Sequence, residues 1–204
     1  MAEKPMIFST PMVQALLECR NTQTRRIIRP QPIDGWSPEV GFYNPTKIDK
    51  EGEEYPSDEV FGASDDLCGR VCRYQIGDVV WVRENFQAVQ DEGNPNGHDK
   101  YIYYRASESH PHLGKWKPSI HMPRWAARIF LEITDVRVQR LQEISEEDIL
   151  AEGVKCPFPV EVYCEKGFQD HFKELWSTIH KPDSPNGWNA NPWVFAYTFK
   201  RIKH

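Results

Sequence analysis

The chain has no apolar run long enough to span a bilayer, and its first residues carry no basic segment followed by a hydrophobic one. The expectation is a soluble, cytoplasmic protein with no membrane partner. Cysteine is scarce and odd in number. Cys19, Cys68, Cys72, Cys156 and Cys164 form no tight framework, which suits a reducing compartment. Pooling the last four into a thiolate zinc site fails on spacing, because Cys156-x7-Cys164 is unlike the close ligand pairs of common structural zinc sites. His110, His112 and His121 stand among prolines and glycine with no acidic partner at a telling offset, so they read as loop histidines and no metal is expected. No glycine-rich phosphate loop follows a strand signal, which argues against a doubly wound nucleotide fold. No cofactor is expected.

An excess of positive charge is also missing. The net charge of -5 argues against a protein that wraps duplex DNA by bulk electrostatics. The charge is uneven, however. Residues 1–30 hold five basic groups against two acidic ones, a balance of +3, whereas residues 34–70 hold ten acidic groups against three basic ones, a balance of -7. A local positive patch beside an acidic insertion suits a small nucleic-acid or nucleotide ligand better than a long duplex.

At 204 residues the chain fits one domain, 1–204, carrying an irregular acidic insertion at about 33–70. Thr10 as cap and Pro11 in the first turn predict a helix over residues 11–19 with Met12, Leu16 and Cys19 on one face. Residues 33–70 show isolated aromatics and no sustained period, so a long irregular excursion is expected there. Val79 to Glu84, Tyr101 to Ala106 and Ala126 to Val138 read as strands, the last with a break near Asp135 that suggests a bulge. Ser145 to Asp148 resembles a capping arrangement for a helix that stops at Gly153. Phe168, Phe172, Leu175, Trp176 and Ile179 recur at helical spacing, and their aromatics read as core. Trp193 to Ile202 alternates as a half-buried strand. Strands outnumber crossover helices, so the fold class is mixed α+β: a small β-barrel with flanking short helices and a long polar insertion.

The chemistry-bearing stretch is Cys19-Arg20-Asn21-Thr22-Gln23-Thr24-Arg25-Arg26. Arginine does not act as a base near neutral pH, but its planar fork holds phosphate or carboxylate. Polar hydroxyl and amide groups between the guanidiniums suggest the floor of a pocket for an anionic or base-bearing ligand. Arg20, Arg25 and Arg26 would position phosphate or base. Trp81, with Trp125 and Trp193, are candidates for stacking, and Arg83 and Glu84 end the adjoining strand.

Three blocks taken together are similar to the ASCH domain family, whose fold is a PUA-like β-barrel associated with RNA binding or RNA-related chemistry. They are Leu17 to Arg26, Gly77 to Glu84 and Ile144 to Val154. Lys4-Pro5 with Phe8, Lys117 to Ala126 and Asn191-Pro192-Trp193-Val194 further resemble the longer members encoded by bacteriophages and prophages. Some members hydrolyse the amide of N4-acetylcytidine using a lysine, a threonine and a glutamate. The resemblance puts the threonine on Thr24 and the glutamate on Glu152. It puts Asn21 at the lysine position, and asparagine can neither take up a proton nor carry positive charge. The first expectation is therefore binding of RNA, a nucleotide or a modified nucleoside through an arginine-lined pocket. The alternatives are an amidohydrolase using Thr24 and Glu152, and a phage factor whose acidic insertion engages a host protein.

Overall fold

The computed structural model describes residues 3–32, 37–65, 69–90, 100–107, 114–155 and 167–203. In chain order, β1 (Glu3–Ile7), α1 (Thr10–Leu17) and β2 (Gln23–Ile27) come first. Five short strands follow: β3 (Glu39–Tyr43), β4 (Thr46–Ile48), β5 (Glu54–Pro56), β6 (Val60–Ser64) and β7 (Gly69–Val71). Then come β8 (Val79–Arg83), β9 (Phe86–Gln90), β10 (Lys100–Tyr104), β11 (Phe130–Arg140), α2 (Glu146–Ala151), α3 (Phe168–Ile179) and β12 (Trp193–Ile202).

The centre is a five-stranded sheet in the order β1-β8-β11-β12-β2. Only β1 and β8 run parallel; the other neighbours are antiparallel. One face carries the main apolar core, including Phe8, Val82, Leu131, Phe195, Tyr197 and Phe199. The other face is covered by α2 and α3 through Leu141, Ile149, Phe172, Trp176, Trp188 and Val194. A small third cluster of Phe86, Met122 and Ala126 lies under the β9–β10 pair.

The fold is mixed α+β with several sheets, but none of them closes into a barrel among the described residues. This corrects the expected β-barrel. β1 and β2 are the two edges of the central sheet, and they do not pair. Pro5, in β1, has no N–H to offer a ladder. The edges instead face a common cavity, across which an Arg26 guanidinium N–H donates to the Ile7 carbonyl at 2.6 Å. A charged side chain thus occupies space that a closing ladder would need.

The insertion also departs from the irregular excursion expected. Strands β3, β6 and β7 form one antiparallel sheet, and β4 with β5 forms a hairpin exposed along its whole length. Their alternation was too short to read as a period. Buried Arg70 anchors the three-stranded sheet by donating to the Pro30 and Gln31 carbonyls, and it pairs with Asp65 at 3.0 Å.

Helix α1 starts one position earlier than expected, with Ser9 rather than Thr10 at the cap, and it buries Val13, Ala15 and Leu16. Cys19 is exposed beyond its end, with φ at 57°. The break near Asp135 is a register shift between Ile133 and Asp135 of β11. β12 differs from the half-buried reading: Val194 and Ala196 are as fully enclosed as Tyr197, because α2 and α3 roof the face that solvent would otherwise wet.

Candidate functional site

Ser145 accepts from the Asp148 backbone N–H and starts α2, while Asp148 itself turns toward β2 instead of closing a capping box. The helix ends at Glu152 and Gly153. Gly153 has φ of +81°, and a Cβ there would stand 2.7 Å from the Ala15 Cβ and 3.1 Å from the Asn21 Cβ. Only glycine allows the ends of α1 and α2 and the start of β2 to meet this closely. The contact is then tied by three bonds. Thr22 N–H donates to the Ala151 carbonyl, Asn21 Nδ2 to the Glu152 carbonyl at 2.8 Å, and Arg20 to the Gly153 carbonyl.

This junction places Glu152 beside β2, the sheet edge. Arg25 has a fully buried side chain and spans two carboxylates: Nη1 donates to Glu152 Oε1 at 2.8 Å and Nη2 to Asp148 Oδ2 at 2.6 Å. Gln23 orients the same guanidinium by accepting from Nη1 at 2.7 Å. Asp148 also receives Arg137 at 2.9 Å. Burial pushes the Asp148 carboxyl up, but Arg137 and Arg25 outweigh it and hold the group below its ordinary value. Glu152 is different. Burial pushes its carboxyl up to about 7, against the pull of Arg25 and then Arg26.

Glu152 lines a cavity of about 300 Å³ along the free edge of β2. Thr24, Arg25, Arg26 and Arg29 form one side, while Phe172, Trp176 and His180 of the α3 region form the other. His180 is held toward its neutral form, by burial and then by Arg29 and Arg26. A carboxyl that titrates near neutrality, next to a buried hydroxyl and cationic groups, can exchange hydrogen bonds with a base edge or pass a proton.

The sequence candidates separate into groups here. Thr24, Glu152, Arg25 and Arg26 come together on this cavity. Asn21 does not line it: the side chain is spent on the Glu152 carbonyl, and its Oδ1 is buried without a partner. Arg20 lies outside as well, bonded to Glu18 and Gly153. Glu84 is buried in a two-pronged pair with Arg128, at 2.8 and 2.9 Å, and serves the β9–β10 side of the molecule. Trp81 is buried within the sheet, with the Arg83 guanidinium 4.8 Å from its ring centre. Arg83 faces a different cavity, the one between β1 and β2. Trp193 is mostly enclosed under Arg140, and exposed Trp125 lies on a third, separate cavity with His121.

Phe172, Trp176 and His180 were missed as site residues. Their helical spacing marks a buried face, and Phe172 and Trp176 are indeed core, yet the rim of that face also walls the cavity. Cys72 is buried, its thiol donating to the Tyr74 carbonyl at 3.0 Å, and burial raises its pKa to about 11. Cys68, Cys156, Cys164, His110 and His112 lie outside the described residues.

Comparison with protein-family models, with curated proteins and with solved structures finds no match to this chain.

Proposed function

We propose that the chain binds a nucleoside base, presented by RNA, a nucleotide or a modified nucleoside, in the cavity between β2 and α3. The observation that carries this is the placement of the Glu152 carboxyl on a small, aromatic-walled cavity with Arg26 and Arg29 at its side. A volume of about 300 Å³ is at the lower end for small-molecule sites and matches a nucleoside better than a folded partner. Phe172 and Trp176 supply apolar walls against which a ring can lie, and Glu152 supplies hydrogen bonds to an amino or imino edge. The similarity of Leu17 to Arg26 and Ile144 to Val154 to the ASCH family supports the same reading.

Calorimetric titration with cytidine at pH 6 to 7 tests it. Binding to the intact chain and loss of at least tenfold in affinity for Glu152→Gln is the expected result. Equal heats for both proteins would overturn the assignment of Glu152 to the ligand.

The titration range of Glu152 favours a second reading, hydrolysis of an amide on a modified cytosine. Ionised Glu152 would take a proton from a water attacking the acyl carbonyl, so that a C–O bond forms, and would return it to the departing N4 as the C–N bond breaks. Arg26 would offset the charge on the oxyanion. The products are acetate and cytidine. Release of acetate from N4-acetylcytidine by the intact chain but not by Glu152→Gln would establish this activity. No release at high protein concentration would leave only binding.

A further inference from the structure

The gap that keeps β1 and β2 apart is itself a cavity, of about 580 Å³. Five arginines line it: Arg26, Arg29, Arg70, Arg73 and Arg83. No Asp or Glu is among its described lining residues. In a chain of net charge -5, that concentration of one sign is not a by-product of composition.

The arginines differ in how far their charge is already answered. Arg70 is committed to Asp65 and to the Pro30 and Gln31 carbonyls. Arg26, Arg29, Arg73 and Arg83 have no carboxylate partner among the described residues. Arg26 and Arg83 each keep a buried Nε–H with no hydrogen-bond acceptor. Packing supplies only part of what they need: Arg26 lies over Phe8, Arg73 over Tyr74 and Arg83 over Trp81. Tyr74 and Tyr197, the polar side chains between them, are held neutral by burial and offer no compensating charge. Buried donors without acceptors, converging on a space open to solvent, fit a multivalent oxyanion.

This space is continuous in its wall with the Glu152 cavity, since Arg26, Ile27 and Arg29 line both. A ligand lying over the end of β2 would meet a carboxyl and aromatic rings on one side and, on the other, guanidiniums without a carboxylate partner among the described residues. That is the order of groups along a nucleotide, base then phosphate. We propose that the β1–β2 gap is a phosphate site that holds the sugar-phosphate part of a nucleotide ligand whose base enters the Glu152 cavity. The inference builds on the nucleoside reading for the base, whereas the phosphate site stands on its own arginines.

The test is anisotropy of a fluorescein-labelled, cytidine-containing single-stranded RNA pentamer titrated with the full chain between 50 and 300 mM sodium chloride, values set by the range over which phosphate contacts respond to salt, roughly. Three or four arginine contacts predict a slope of log affinity against log salt of about -2 to -3. Arg29 and Arg73 are exposed, so Arg29→Ala with Arg73→Ala leaves the core intact. The pair should make the slope shallower by about 1.4 and weaken binding on the order of tenfold at 0.1 M salt. Arg201→Ala, an exposed arginine outside the cavity, should change neither.

A double variant that keeps both the slope and the affinity of the parent overturns the site, as does absence of RNA binding. Competition separates the two sources of phosphate. Displacement of the pentamer by cytidine 5′-monophosphate, lost in the double variant, assigns the site to a free nucleotide. Resistance to it at matched ionic strength assigns the site to a strand. Glu152→Gln in the same titration should lower affinity without altering the slope. Binding that depends on Arg29 and Arg73 yet ignores Glu152→Gln removes the nucleoside reading and leaves the phosphate site standing.

Discussion

Glu152 and Arg25 form a buried pair, joined at 2.8 Å. The Glu152 carboxyl rises from an ordinary value of 4.5 to about 7 because burial penalises its anion more than Arg25 rewards it. Between those two pH values the folded chain holds a proton that the unfolded chain releases. Stability therefore falls as pH rises through this window, by on the order of 3 kcal/mol. Urea unfolding at pH 5 and pH 8 should show that fall in the parent, and Glu152→Gln should lack this component. A parent-minus-variant difference that does not change with pH would contradict it. Asp148, whose carboxyl is held low, acts in the opposite sense at more acidic pH: its contribution is present above its ordinary value and is lost as pH drops through its lowered one.

Arg25→Met tests the same pair from the other side. It leaves the Glu152 and Asp148 carboxyls without their buried partner and should cost about 3–5 kcal/mol in a urea melt at pH 8. The cost should be smaller at pH 5, where Glu152 is protonated. Gly153→Ala should cost roughly 1–3 kcal/mol, because alanine would have to adopt a positive φ and press against Ala15 and Asn21. A melting temperature equal to the parent's would show that the junction of α1, β2 and α2 has room to give.

Among the elements, β2 is the short strand on which the candidate chemistry converges. As an edge strand it pairs only with β12, which leaves its other side to the cavity and to Glu152. The far end of the sheet is secured differently. Glu84, just past β8, is buried against Arg128, which in turn stacks 3.9 Å from the ring centre of Tyr104 in β10. Arg128→Met should destabilise the chain by about 3–5 kcal/mol, because it strands a buried carboxylate. It should leave ligand binding at the Glu152 cavity unchanged once the protein is folded, since the pair does not line that cavity. Unfolding curves and cytidine titration on the same sample separate the two effects.

At the scale of the whole molecule, an open sheet with two unpaired edges gives two neighbouring cavities that share Arg26 and Arg29. The first adds the Glu152 carboxyl, whereas arginines are the only charged residues described in the lining of the second. The acidic insertion is attached beside this region through Arg70, while its β4–β5 hairpin is exposed throughout and packs on neither apolar core. Replacing residues 46–56 by a short turn should shift stability by about 0.5 kcal/mol or less, within the range of surface changes. A large loss of melting temperature would mean that the hairpin supports the core.

Much of the local structure was readable in the residue order because it depends on local periodicity. The alternation of Trp193 to Ile202, the helical spacing from Phe168 to Ile179, the Ser145 cap and the break at Asp135 all correspond to elements seen here. Thr24 and Glu152, more than 120 residues apart, were paired only by the family resemblance, which set them with Asn21. Arg25 and Arg26 stood in a separate set with Arg20, Trp81, Arg83 and Glu84. Of all these residues other than Glu152, only Thr24, Arg25 and Arg26 line the cavity between β2 and α3. Sheet closure, by contrast, depends on whether two distant strands meet, and the Arg26 side chain standing between β1 and β2 has no signature in either strand's sequence. Charge partnership is hidden for the same reason. Arg25 and Arg26 are adjacent and identical in type, yet Arg25 is bonded to two carboxylates while Arg26, on the wall shared by both cavities, is bonded to neither. The residue order set which side chains were available; the tertiary fold decided which charges were neutralised and which were left without a carboxylate partner, because desolvation and pairing act through space rather than along the chain.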